Sequence, residues 1–242
     1  MNDTPIGSES PDTSPGELHL AEARDFLSRT GWLAECAPAV QKLLLHDMQL
    51  RRYPSHEAVF RIGDEPDGLY GFVTGGLRIL APDGGGEAVW LHRTEPGYWI
   101  GEMTSLSGGP RLISLVTTQP TVALHLTRDD LVRVVESNPT LHDDLYALSR
   151  RNWVTAVRLL VNLTIRGSER RLAMRLLHYD EIAGSDGDWI PLNQEALADL
   201  IAVSLPTLQR ALRNLVATGC IEVGYGKIRV NDRAGLIARC NR

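Results

Sequence analysis

The chain's 242 residues, 43% of them hydrophobic and 23% charged, suffice for one large or two ordinary domains with buried cores, which excludes a disordered or fibrous chain. Its 25 Lys+Arg against 30 Asp+Glu give a formal charge of −5, a balance that on its own argues against a nucleic-acid partner. Cys36, Cys220 and Cys240 form no C-x-x-C pair or even set, no apolar run approaches the ~20 residues of a membrane span, and no signal-peptide order opens the sequence, so a reducing, cytoplasmic setting without a membrane partner is expected.

Residues 1–17 carry three prolines, three serines and no aromatic residue and read as a flexible tail. From Leu18 to about Leu50, Leu20, Ala23, Leu27 and Leu33, then Val40, Leu43, Leu44 and Met48, recur at helical spacing around Gly31, which predicts two short helices. Twelve of the 22 glycines then lie between Gly63 and Gly109. They separate the short runs Ala58–Arg61, Leu69–Thr74, Leu77–Leu80 and Glu87–His92, and Thr121–Leu126 follows; the pattern predicts an antiparallel roll, barrel or sandwich. Asp83-Gly84-Gly85-Gly86 is a hairpin signal and Glu95-Pro96-Gly97 a second turn.

Beyond Asp129 the pattern is helical again, and Thr140–Ile165 contains no Gly or Pro. Leu141, Leu145, Leu148, Asn152, Thr155, Leu159 and Asn162 alternate spacings of four and three. That spacing also suits a helix packed on its own β domain, but its length favours a self-pairing dimer seam in which Asn152 or Asn162 sets register. Gly167-Ser168 ends this helix and starts the next, with Ser168 as N-cap and Glu169 in the first turn.

Ala196 to Leu215 reads as helix, tight turn, helix. Leu197, Leu200 and Ile201 form one inner stripe; Leu208, Leu212 and Leu215 form the other. Ser204 is expected to cap the second helix and Pro206 is tolerated in its first turn. Arg210 and Arg213 share its outward face beside Thr207 and Gln209, with no acid between Leu205 and Leu215, as a helix entering the major groove requires. Cys220 to Asn231 follows as strand, Gly-Tyr-Gly turn and strand, placing Tyr225, Lys227 and Arg229 on a basic wing. An ordinary helical hairpin with a solvated arginine face would share the helix pattern, but not the wing.

The whole order resembles the superfamily of the cyclic-AMP receptor protein and the fumarate and nitrate reduction regulator (CRP/FNR). The likeness is carried by Val59-Phe-Arg-Ile-Gly-Asp64, Asp67 to Ile79, Pro96-Gly-Tyr-Trp-Ile-Gly-Glu102, Gly109-Pro-Arg111 and the winged helix-turn-helix. It implies an α+β chain: a β-roll sensor with flanking helices over 18–138, a dimerisation helix over 139–166, and a winged domain over 167–242 that binds a two-fold symmetric DNA operator. The dimer seam would comprise Leu141, Leu145, Leu148, Asn152, Thr155 and Leu159. Ser204, Leu205, Thr207, Gln209, Arg210, Arg213 and Lys227 would meet DNA. RNA polymerase would be a partner if the chain activates transcription. Leu205 and Pro206 stand where the best-known members carry Arg and Glu, so a different operator is expected, with Leu205 against a thymine methyl.

The resemblance also implies a cyclic-nucleotide site, with Gly101, Glu102, Arg111 and Thr155 as effector contacts. Cyclic AMP stays open on that basis, but Leu112 replaces the expected Ser or Thr, Ile113 a small residue, and Ala156 the serine of a Thr-Ser pair. Glu102 and Arg111 serve equally well as scaffold. Three cysteines cannot hold a four-thiolate iron–sulfur cluster, no metal-ligand histidine spacing occurs, and no nucleophile–base constellation suggests an enzyme. Cys220 reads either as an oxidation switch or as a small buried residue. A second function class remains: a small-molecule-binding regulatory protein whose winged helix is a protein-interaction module.

The charge divides unevenly. Residues 1–30 hold two basic and six acidic side chains, 31–166 hold 13 and 15, and 167–242 hold ten and nine. The acid thus lies mostly in the tail and roll, and Arg210, Arg213, Lys227 and Arg229 can make a local field that favours phosphate.

Overall fold

The computed structural model describes residues 18–82, 85, 88–183 and 189–240. The tail at 1–17, and Asp83, Gly84 and Gly86 of the hairpin signal, lie outside the described residues. Two short helices open the fold, α1 (Leu20–Arg29) and α2 (Pro38–His46), joined by a 3₁₀ turn at Leu33–Glu35. Eight strands and a helix follow: β1 (Gln49–Tyr53), β2 (Ala58–Phe60), β3 (Gly68–Thr74), β4 (Leu77–Pro82), β5 (Ala88–Thr94), β6 (Trp99–Ile100), α3 (Glu102–Ser107), β7 (Ser114–Thr117) and β8 (Thr121–Thr127). All pairings are antiparallel, in two sheets of order β1-β8-β3-β6 and β2-β7-β4-β5.

The sheets share one core. Phe60, Leu77, Ile79 and Leu115 from one sheet pack with Tyr70, Phe72 and Ala123 from the other. Strand β1 was not expected, because Gln49-Leu-Arg-Arg-Tyr lacks apolar alternation. It is an edge strand whose register on β8 runs from Gln49 opposite His125 to Tyr53 opposite Thr121, and an edge with one solvated face tolerates such polarity. The two-residue β6 and the short β7 and α3 were likewise too brief to show periodicity.

Helix α4 (Arg128–Ser137) begins at Thr127, whose hydroxyl accepts from the Asp130 amide, with Asp129 and Asp130 in the first turn. The 24-residue α5 (Leu141–Thr164) follows. Leu141, Leu145 and Leu148 do not form a face toward another chain. They are buried in the protomer's own core with Leu27, Leu33, Leu44, Trp99 and Leu131. Asn152 donates to the Trp99 carbonyl at 3.1 Å, and buried Asn162 to that of Arg171 at 2.8 Å. The first half of the four-and-three seam therefore packs on the chain's own N-terminal core, and its last residue meets α6. Of the large apolar side chains that α5 leaves exposed, the most exposed, Tyr146, Trp153 and Leu160, lie on another stripe with Val157, and Val154, Val161 and Leu163 flank it.

The last third contains α6 (Ser168–Ala183), β9 (Trp189–Ile190), α7 (Gln194–Leu200), α8 (Leu205–Ala217), β10 (Ile221–Gly224), β11 (Lys227–Val230) and α9 (Arg233–Cys240). The expected stripes Leu197, Leu200, Ile201, Leu208, Leu212 and Leu215 all enter one buried core with Leu172, Leu176 and Ile228. Strand β9 extends the β10–β11 hairpin to three strands. This unit sits on β5: Trp90 packs against its core, and buried Arg175 donates to the carbonyls of Leu200 at 2.7 Å and Leu91 at 3.3 Å. Among the described residues no helix is long and apolar enough to cross a membrane.

Candidate nucleic-acid interface and effector pocket

Helix α7, the turn at Ile201–Ser204 and helix α8 form a helix-turn-helix. Asn193 caps α7, its side-chain oxygen accepting from the Ala196 amide at 2.8 Å. Ser204 stands at the N-cap position of α8, but its hydroxyl pairs with that of Thr207 at 2.9 Å and makes no capping bond to the helix backbone. The expected cap is thus corrected. Pro206 in the first turn compensates, since it removes one amide that would otherwise need an acceptor.

Arg210 and Arg213 are exposed on the outer face of α8, and neither has an ion-pair or hydrogen-bond partner among the described residues. Gln209 lies beside them, donating to the Gln194 side chain at 3.3 Å. Leu205 is half-buried against the domain core, so it offers only part of its side chain outward. On the wing, Lys227 Nζ stands 4.5 Å from the centre of the Trp189 ring. Arg229 shares that ring and is ion-paired with Glu222, which removes it from the free positive charge. Tyr225 at the wing tip is fully exposed. Cys220 is buried, its sulfur accepting from Thr218 Oγ1 at 3.5 Å. Among the described residues no cluster of His, Cys, Asp or Glu could hold a metal.

The second site is a cavity of about 430 Å³ between the roll and α5. Gly101 introduces it with φ +117°, and a Cβ there would stand 2.2 Å from the Gly68 carbonyl oxygen, so only glycine fits. Glu102, 3% exposed, accepts from the Ser149 hydroxyl of α5 at 2.8 Å through Oε1. Burial pushes its carboxyl above the usual range; Ser149, backbone amides and Asn152 oppose that rise.

Arg111, also 3% exposed, is committed elsewhere. Its Nη2 donates to Asp67 Oδ1 at 2.6 Å and to the Gly68 carbonyl at 3.0 Å; Nη1 donates to Thr104 Oγ1 at 3.0 Å and to the Gly101 carbonyl at 3.3 Å. The guanidinium carbon lies 4.3 Å from the centre of the Phe60 ring. The other oxygen of Asp67 accepts from the Tyr70 hydroxyl. Leu112 is 62% exposed on the cavity wall. Thr155 also lines the cavity.

Residues 50–138 match the cyclic nucleotide-binding domain family, and residues 170–239 match the Crp-like helix-turn-helix domain. Over 198 residues, 82% of this chain and 91% of the relative, it is 30% identical to the cyclic AMP receptor protein of Thermus thermophilus. The chain belongs to the CRP/FNR superfamily. The CRP-like cAMP-activated global transcriptional regulator of Mycobacterium tuberculosis is 25% identical over 222 residues, 89% of this chain and 98% of that one. The solved structure of FixK2 from Bradyrhizobium japonicum shares the fold with a TM-score of 0.70 at 20% identity, covering 79% of this chain and 96% of its own.

Within this CRP/FNR chain the residues do not fit a cyclic nucleotide. A cyclic phosphate needs a guanidinium with free donors and a neighbouring hydroxyl; here both terminal nitrogens of Arg111 are occupied, Asp67 adds negative charge, and Leu112 supplies no hydroxyl. Asp67 and Tyr70 lie within a family motif of the sequence that assigns them no role. Ser149 as the partner of Glu102, and Trp189 beneath the wing, are likewise visible only in the structure. An acid and a tyrosine three residues apart on one strand start were the available signal for the first pair.

Proposed function

We propose that the chain is a homodimeric, sequence-specific DNA-binding transcription regulator of the CRP/FNR type, whose roll is coupled through α5 to the winged domain. The observation that carries this reading is the outer face of α8, where Arg210 and Arg213 stand exposed without partners among the described residues, while Arg111, Arg175 and Arg229 are engaged. Arg210 contacts a guanine edge; Ser204, Thr207, Arg213 and Lys227 hold phosphates; Gln209 borders the same face, and Leu205 meets a thymine methyl with its outer atoms. A two-fold symmetric duplex operator matches a symmetric dimer.

The pairing surface in this reading is the stripe Tyr146, Trp153, Val157 and Leu160 of α5, spaced by seven, four and three residues. Trp153 and Leu160 are 69% and 64% exposed, and a parallel pair of such helices buries them against each other. RNA polymerase is a further partner if the regulator activates.

A gel shift with genomic fragments at about 50 and 200 mM salt tests the reading. Several phosphate contacts per protomer predict a fall in affinity of at least an order of magnitude between the two, from counterion release. Failure to retain any fragment favours the interaction-module reading of the winged domain and overturns this one.

A further inference from the structure

We propose that the cavity between the roll and α5 takes an uncharged, largely apolar effector bearing one hydrogen-bonding group, which Glu102 receives, and that it does not take a cyclic nucleotide. This deepens the regulator reading and rests on it for the effector's role, while the chemistry of the pocket is argued independently.

The anion side of the cavity is closed. Both terminal nitrogens of Arg111 already make two hydrogen bonds each, leaving only Nε, which is buried without a partner among the described residues. One N–H is not the bidentate fork that binds a phosphate. The Asp67 carboxylate at 2.6 Å from Nη2 would also repel an arriving anion. Leu112 and Ile113, the two residues after Arg111, both line the cavity and supply no hydroxyl to a phosphate.

The rest of the wall is built for apolar matter. Ile79, Leu91, Tyr98, Ile100, Leu159 and Leu163 line it. Of the polar side chains on the wall, Ser149 is held by Glu102, Asn152 by the Trp99 carbonyl and Thr104 by Arg111, while Thr155 and His92, whose Nδ1 is buried without a partner among the described residues, complete the lining. The volume of about 430 Å³ falls in the range of small-molecule sites, which are mostly apolar with a few placed polar groups.

The placed group is Glu102. Its Oε1 is satisfied, but Oε2 is buried and has no hydrogen-bond partner among the described residues. A buried oxygen without a partner is costly, and a ligand hydroxyl or amide hydrogen delivered into an apolar cavity removes that cost. A ribose hydroxyl would satisfy it equally. What separates the two ligand classes is therefore the occupied Arg111, the adjacent Asp67 and the leucine that follows Arg111.

The test uses the full-length protein and N-phenyl-1-naphthylamine, an uncharged fluorescent probe with a single N–H. It should bind saturably at one per protomer, and millimolar cyclic AMP or cyclic GMP should not displace it. Its methylene analogue, in which CH₂ replaces N–H, should compete about tenfold more weakly, and Glu102→Leu should abolish that difference. Ala156→Trp, at a cavity-wall position between Trp153 and Leu160 of the proposed pairing stripe, should remove probe binding while leaving both the far-ultraviolet circular dichroism and the sedimentation coefficient unchanged. Displacement by a cyclic nucleotide, equal affinity of the two naphthalenes for the unaltered protein, or full probe binding by folded Ala156→Trp would overturn the proposal. Gel shifts on the same preparations keep the two readings apart: lost DNA binding with intact probe binding sinks the regulator reading alone, and the reverse sinks the pocket proposal alone.

Discussion

Arg111 and Asp67 hold each other at 2.6 Å beneath the cavity wall, and this one pair fixes the character of the site. The guanidinium is buried, while the Asp67 side chain is 47% exposed and also receives the Tyr70 hydroxyl.

Removing the carboxylate leaves a buried cation with only neutral acceptors. Asp67→Ala should therefore destabilise the roll by about 1–3 kcal/mol, below the ~3–5 kcal/mol of a fully buried pair because water screens the aspartate. The urea midpoint should fall accordingly. An unchanged midpoint would mean that the carbonyls of Gly68 and Gly101 and the Thr104 hydroxyl hold Arg111 without the carboxylate.

The two faces of α5 predict opposite behaviour. Trp153→Asp combined with Leu160→Asp should convert the protein to a folded monomer, read by sedimentation velocity together with circular dichroism. Leu145→Ala, deep in the protomer core, should instead cost about 2–5 kcal/mol of folding stability and leave the folded fraction dimeric. Dissociation by Leu145→Ala alone, with stability unchanged, would return the pairing face to the original seam.

Arg210→Ala should weaken binding to a selected operator by about 1–3 kcal/mol and relax preference at one base position. Arg213→Ala should weaken all duplexes alike and reduce the salt slope by about one. Titrations by fluorescence anisotropy on the operator and on a scrambled duplex separate the two. Identical profiles would deny Arg210 its base contact.

Acid should loosen the seat of the winged domain on the roll. His178 is lowered from the usual 6.5 to about 4, by burial first and then by Arg175 and Arg158, with Glu181 opposing. His92, whose ring centre is 5.4 Å from that of His178, is lowered well below 6.5 by burial, His178 and Arg175. Both groups favour a neutral folded state, so below about 6.5 the unfolded chain binds more protons. Stability is complete above that value and declines as pH falls toward 4, by an amount on the order of 2–3 kcal/mol for His178. Burial raises Glu102 and Glu95, which act in the opposite sense as pH rises through the acid range. The comparison is therefore His178→Gln against the unaltered protein, and the variant's urea midpoint should fall less between pH 6.5 and 4. Parallel curves would contradict the assignment.

The architecture was largely legible because the glycine-spaced short runs, the long Gly- and Pro-free helix and the winged helix-turn-helix each have a strong period or punctuation. Strands β1 and β6 were not, one being a polar edge and the other two residues long. The placement of Leu141, Leu145 and Leu148 in a dimer seam is corrected for a physical reason: spacings of four and three specify one apolar face, but not whether the chain's own core or a second helix covers it. The stripe through Trp153 and Leu160 has the same spacing one residue further on. At the cavity between the roll and α5, Leu112 and Ile113 already signalled the misfit with a cyclic phosphate. The engagement of Arg111 with Asp67, 44 residues earlier in the chain, arises only when β3 and the segment after α3 come together.

In the proposed function, the outer face of α8 selects the DNA sequence. Selection of bound sequences from a random duplex pool by the full-length protein is the measurement. It should enrich an inverted repeat whose half-sites are centred about one helical turn, or a whole number of turns, apart, as two symmetric recognition helices require, and Arg210→Ala should lose the preference at one position in each half-site. A pool that remains random after selection, with the protein folded and dimeric, would contradict it.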